Sequence, residues 1–87
     1  MLEGNVGGLQ HIGLPVTDIA RSVDFYTRLG FHIAMEKEFQ DTNGIVQVKM
    51  LELNGLVLEM YQLPAADLEG IRSRRDGHID HIALDVL

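Results

Sequence analysis

The chain has no cysteine, no tryptophan and only two prolines, and its seven lysines and arginines are outnumbered by thirteen aspartates and glutamates. Without cysteine there is neither a disulfide nor a thiolate metal site, a composition that fits a reducing compartment. At 87 residues, stability has to come from one modest core with no covalent staple. The net charge of -6 argues against a nucleic-acid partner, because phosphate binding rests on lysine and arginine. The single basic cluster, Arg72, Arg74 and Arg75, is short and flanked by Glu69 and Asp76, and reads as a solvated loop. No apolar run is long enough to span a bilayer. The N-terminal MLEGNVGG lacks the basic region followed by an apolar stretch that marks a signal peptide. The expectation is a cytoplasmic protein with no membrane partner. Its 46% hydrophobic and 23% charged residues are those of an ordinary globular domain.

What is present is organised by period. Residues 1–8 are glycine-rich and read as a flexible N-terminus. From Leu9 to Val16, Ile12, Leu14 and Val16 alternate with His11 and Gly13, the period of a strand with one apolar face. In TDIARSVDFYTRLG, Thr17 or Asp18 is placed to cap a helix. Ile19, Val23, Tyr26 and Leu29 recur at helical spacing, with Ala20 and Phe25 widening the stripe, and Gly30 suits the left-handed residue that ends a helix. Phe31 to Phe39 alternates again, with Phe31, Ile33 and Met35 on one side. Ile45–Leu53 and Leu56–Gln62 form two further strands around Asn54-Gly55, a strong hairpin signal. A two-residue turn there predicts that Leu53 faces Leu56, Leu51 faces Leu58 and Met50 faces Glu59. The leucines then share the helix side, and Glu59 shares the other with Val48, Met50, Val57 and Tyr61. Residues 63–77 read as a connector punctuated by Pro64, Gly70 and Gly77, and a last strand closes the chain. The class is α+β: a βαβββ module over 9–62, a mostly antiparallel sheet with a helix on one face, and one extra C-terminal strand.

That last strand repeats the first. HIALDV (residues 81–86) laid on HIGLPV (residues 11–16) matches at His, Ile, Leu and Val. In both copies the histidine alternates away from the residues that pack on a helix, as Glu59 does from its leucines. His11, Glu59 and His81 are therefore candidates for one helix-free sheet face, where imidazole and carboxylate donors suit a divalent cation. Each alone reads as a surface or hydrogen-bonded residue; the conjunction points to metal. His32 and His78 lack such support and read as structural.

The stretches HIGLPVTDIARSVDFYTRLGF, VKMLELNGLVLEMY and GHIDHIALDV resemble, in this order and spacing, one module of the vicinal oxygen chelate superfamily, the glyoxalase, bleomycin-resistance and extradiol dioxygenase fold. The resemblance covers nearly all of the chain beyond residue 8. It implies two βαβββ modules pairing into a cupped sheet around a divalent metal (zinc, nickel, manganese or iron), with ligands from the first and fourth strands of each module. Carried over, the metal ligands are His11 and Glu59, with His81 from the first strand of a second module. That module stops after one strand, so the expectation is a truncated or unusually short member.

The resemblance further implies an oxygen-chelating small-molecule substrate and proton abstraction next to a carbonyl, with Glu59 as ligand, catalytic base or both. A lactoylglutathione lyase-type reaction is the leading expectation. Dioxygenase or epimerase chemistry, a metal-free drug-binding module, and an inactive fragment stand as alternatives. A homodimer, formed by module pairing or by exchange of the last strand, is expected as well, because a lone module leaves a sheet edge open.

Overall fold

Asn54 and Gly55 take positive φ values of 51° and 88°, the combination that a tight hairpin turn of type I′ demands. This turn sets the register of two strands, β3 (Gly44–Leu53) and β4 (Leu56–Gln62). Leu53 pairs with Leu56, Leu51 with Leu58 and Met50 with Glu59, as the sequence predicts. The computed structural model describes residues 3–74 and 81–86. The remaining elements are β1 (Val6–Pro15), α1 (Ile19–Arg28), β2 (His32–Asp41), α2 (Leu68–Arg72) and β5 (His81–Val86), with 3-10 turns at Glu3–Asn5 and Ala65–Asp67.

The five strands form one sheet in the order β2-β3-β4-β1-β5. β1 runs parallel to β4, and the other three pairings are antiparallel. The α1 crossover returns the chain as β2, parallel to β1 but at the far edge of the sheet, and the two antiparallel turns through β3 then bring β4, again parallel, beside β1.

α1 is held at both ends. Asp18 accepts a hydrogen bond from the Arg21 amide at 3.1 Å, and the Gln62 side-chain oxygen accepts from the Ile19 amide at 2.7 Å. Two of the amides that a helix start leaves unpaired are thereby satisfied, the second by the end of β4. At the other end the Gly30 amide donates to the Thr27 carbonyl and the Phe31 amide to the Tyr26 carbonyl, both at 3.1 Å. Gly30, at φ 113°, provides the reversal that this closing motif requires.

One face of the sheet packs on this helix. Ile19, Phe31, Leu51, Leu58 and Met60 form the core, with Ile12, Leu14, Val16, Val23, Tyr26 and Leu53 packed against it. Tyr26 meets the Phe31 ring edge-on at 5.5 Å. The helical stripe is narrower than its sequence suggests. Ile19, Val23 and Tyr26 face the sheet, whereas Ala20, Phe25 and Leu29 are exposed, because a ten-residue helix on a flat sheet buries only one narrow line of contacts. β1 begins at Val6, earlier than the Leu9 at which alternation becomes visible. β2 carries an irregularity between Ile33 and Met35. Ile33 pairs with Leu51, but Met35 pairs with Met50, so Met35 leaves the side it was expected to share with Ile33. The extra residue reverses the parity of everything after it.

Residues 63–77 are not featureless. Ala65–Asp67 and α2 lie within them, and Asn43 donates to Asp67 at 3.2 Å, tying this segment to the β2–β3 turn. No helix among the described residues is long and apolar enough to cross a membrane.

Leu51 and Met60 are fully buried, whereas Leu29 is 58% exposed. Leu51→Ala is expected to cost about 2–5 kcal/mol of unfolding free energy, and Leu29→Ala less than about 1 kcal/mol. Urea denaturation followed by far-ultraviolet circular dichroism checks both. Equal losses would show that the core is not the one described.

Candidate functional site

β1 and β4 lie side by side with Ile12 opposite Leu58 and Gly13 opposite Glu59. Leu58 and Ile12 pack under α1. Alternation therefore assigns His11, Gly13 and Glu59 to the helix-free face. There His11 Nε2 stands 3.8 Å from Glu59 Oε1. Both side chains are largely shielded but reachable, retaining 15% and 24% of their exposure. The second ring nitrogen of His11, Nδ1, lies against Gln10 Oε1.

The row extends across β1. Gly13 is the Cα partner of Glu59 on one side and of His81 on the other. The backbones of Glu59 and His81 are thus two strand spacings apart, roughly 10 Å, with a residue that has no side chain between them. The side chain of His81 lies outside the described residues, as does all of His78. Of the three expected residues, His11 and Glu59 approach each other by side chain, and the backbone of His81 lies on the far side of Gly13 from Glu59. Alternation in the sequence already sets Gly13 on this face with His11 but gives it no part in the site, although a glycine inside a strand is itself a signal of close approach.

The β1–β5 register has a further property. Ile12 pairs with Ile82, His11 with Ala83 and Gly13 with His81. Ile82 is the residue on which Ile12 falls when the two motifs are superposed, and Ala83 is the counterpart of Gly13. Over these three pairs exchanging the motifs leaves the pairing unchanged, the property of a two-fold symmetric contact; beyond them the register shifts between Leu9 and His11 and again between Val6 and Gly8.

Can these residues hold a divalent cation? Two donors at about 2.1 Å from one ion stand roughly 3.0–3.4 Å apart for bond angles between octahedral and tetrahedral. The 3.8 Å between His11 and Glu59 closes to that with a small side-chain rotation. A histidine nitrogen and a carboxylate oxygen are also a suitable donor pair for zinc, nickel, manganese or iron. The pair fits as part of a site; among the described residues no third histidine, aspartate or glutamate joins it. The other histidine–carboxylate pair, His32 Nε2 to Glu52 Oε2 at 2.8 Å, lies at the β2 edge with His32 side chain 66% exposed. It is a solvent-exposed pair.

Beside Glu59 the same face sinks into a cavity of about 350 Å³ lined by Lys37, Phe39, Asp41, Val46, Val48, Glu59, Tyr61 and Leu63. Val46 and Val48 are only 4% and 5% exposed although α1 covers the opposite face. Val48 and Tyr61 were expected here. Lys37 and Phe39 were not assigned to this face, since the β2 irregularity conceals their parity.

An open α+β sheet with a helix on one face, and a histidine–carboxylate pair from its first and fourth strands on the other, defines a single βαβββ module. A family model described as the Glyoxalase/Bleomycin resistance protein/Dioxygenase superfamily matches residues 8–86, and the chain belongs to that superfamily. A search of curated proteins and a search of solved structures each gave no match.

If His11 and Glu59 are positioned for a ligand rather than for stability, their mutual coupling is weak. A double-mutant cycle of His11→Ala and Glu59→Ala is expected to give less than about 1 kcal/mol of interaction in urea unfolding. A coupling above about 2 kcal/mol would make the pair a structural element.

Proposed function

We propose that the helix-free face is half of a divalent-metal-dependent active site with glyoxalase-like lyase and isomerase chemistry. The observation that carries this reading is the approach of His11 to Glu59 on the face opposite the core. His11 and Glu59 would hold the cation, and His81 would join them. When bound, a divalent ion polarises neighbouring substrate oxygens and stabilises the negative charge that develops as a carbon-bound proton leaves.

The chain's own groups have three tasks. His11, its ring steadied by Gln10, offers one fixed nitrogen. Glu59, half-buried and facing the cavity, is placed to accept a proton from a carbon next to a carbonyl and return it to the adjacent carbon. For a hemithioacetal of a 2-oxoaldehyde, that transfer, together with passage of the hydroxyl proton to the neighbouring oxygen, yields a 2-hydroxyacyl thioester with no net gain or loss of atoms. The apolar cavity beside Glu59 holds the substrate body and keeps water from the exchanged proton.

The rest of the site requires a second set of strands, and the symmetric register of β1 with β5 suggests how one is supplied. A second copy's β1 paired in that register, Ile12 on Ile12, would bring a second His11 and Glu59 to the same row. A homodimer with four donors is thus the proposed active form, with β5 holding the place when the partner is absent.

A second reading follows from the cavity. Its apolar floor suits a metal-free small-molecule binder as well as a substrate site. Metal dependence separates the two.

Purified protein dialysed against zinc, nickel, manganese and iron, with bound metal measured by mass spectrometry, is expected to retain one ion per site. His11→Ala should lose at least about tenfold in affinity, since losing even a hydrogen-bonding partner of a ligand costs that much, while His32→Ala binds normally. The metal-loaded protein should form thioester from methylglyoxal and glutathione, followed by ultraviolet absorbance. Equal metal retention in both variants would refute the ligand assignment. Thioester formation undiminished by chelator would refute the metal-dependent mechanism.

A further inference from the structure

The cavity beside Glu59 has a polarity that the metal half-site does not account for. Its floor is Val46 and Val48, and its walls are Phe39, Tyr61 and Leu63. Three ionisable residues border it: Lys37, Asp41 and Glu59. Two of these are already engaged. Asp41 Oδ1 accepts from the Asn43 amide at 2.7 Å in the β2–β3 turn, and Glu59 faces His11. Lys37 differs. Among the described residues no carboxylate lies within ion-pair distance of its ammonium, which stands 5.9 Å from the centre of the Phe39 ring. Its sequence neighbours Glu36 and Glu38 pair with Lys49 and Gln47 and so belong to the opposite face.

Register places this cation across the cavity from the candidate catalytic residue. Lys37 and Tyr61 are both Cα partners of Val48, so their backbones stand roughly 10 Å apart. Glu59 lies two residues from Tyr61 along β4, roughly 7 Å further on. The result is an apolar slot with a cation at one end and the histidine–carboxylate pair at the other.

We propose that this slot binds a small ligand with an apolar body ending in a carboxylate, and that Lys37 anchors that carboxylate. An ammonium at the rim of the slot gains from an anion that also buries apolar surface on Val46, Val48 and Tyr61. The opposite end of the ligand then points to His11 and Glu59; this orientation rests on the proposed function, whereas the anion preference of the slot does not. The substrate class for the metal reading narrows accordingly to oxygen-chelating compounds with a carboxylate tail.

The test uses the full chain in excess chelator, so that it is independent of metal. Phenylbutanoate, phenylbutanol and phenylbutylamine are titrated against isotope-labelled protein and followed by amide chemical shifts. Phenylbutanoate should bind about fivefold more tightly than the alcohol, the effect of one partly screened ion pair, and the amine least. Shifts should centre on Phe39, Val46, Val48 and Tyr61. Lys37→Met should erase the preference, Lys37→Arg should keep it, and His32→Ala should leave it unchanged. Equal affinity for acid and alcohol, a preference surviving in Lys37→Met, shifts centred on α1, or no binding of any probe would overturn the proposal. Metal retention in Lys37→Met reports separately on the half-site, so either reading can fail without the other.

Discussion

The two-residue turn at Asn54–Gly55 is the constraint on which the site depends. Side chains alternate across a strand, so a slip of one residue between β3 and β4 would exchange the two faces. Leu58 and Met60 would turn to solvent and Glu59 would lie under α1. The positive φ values at Asn54 and Gly55 suit these residue types, and few others accept them without strain. The leucines opposed across the hairpin add a second lock, since only one register buries Leu51 and Leu58 together. Burial of the core and exposure of the carboxylate are thus two results of one pairing.

β1 carries the same logic to the neighbouring strand. Ile12, Leu14 and Val16 pack towards the helix, and His11 and Gly13 take the other face. Its amides and carbonyls are shared between β4 on one side and β5 on the other, so it is an interior strand. The sheet edge next to the site is covered by a near-copy of the strand it protects. A motif that pairs with its own repeat in symmetric register can also pair with its own duplicate, and the proposed dimer follows from this property.

Much of this was legible in the sequence because it depends on short-range chemistry. Alternation in β1, β3 and β4, the Asn-Gly turn, the Asp18 cap and the Gly30 stop are each encoded within a few residues. They suffice to assign His11 and Glu59 to one face. What was hidden depends on the third dimension. The irregularity in β2 has no local signature in HIAMEKEF, yet it moves Met35, Lys37 and Phe39 to the helix-free face, where Lys37 and Phe39 line the cavity. The exposure of Phe25 and Leu29 depends on how little of α1 the sheet covers, which no periodicity reports. The parallel pairing of β1 with β4, which sets His11 beside Glu59, follows from the crossover rather than from either strand.

The central claim is that a divalent cation is held at the β1–β4 row of the helix-free face. Titration of manganese into isotope-labelled protein tests it most directly, because the paramagnetic ion broadens nearby amide signals. The account predicts that Ile12, Gly13, Leu58 and Glu59 broaden first, while Val23 to Arg28 on α1 and Asn54–Gly55 persist. Broadening centred instead on His32 and Glu52, or spread evenly over the acidic surface, would contradict it.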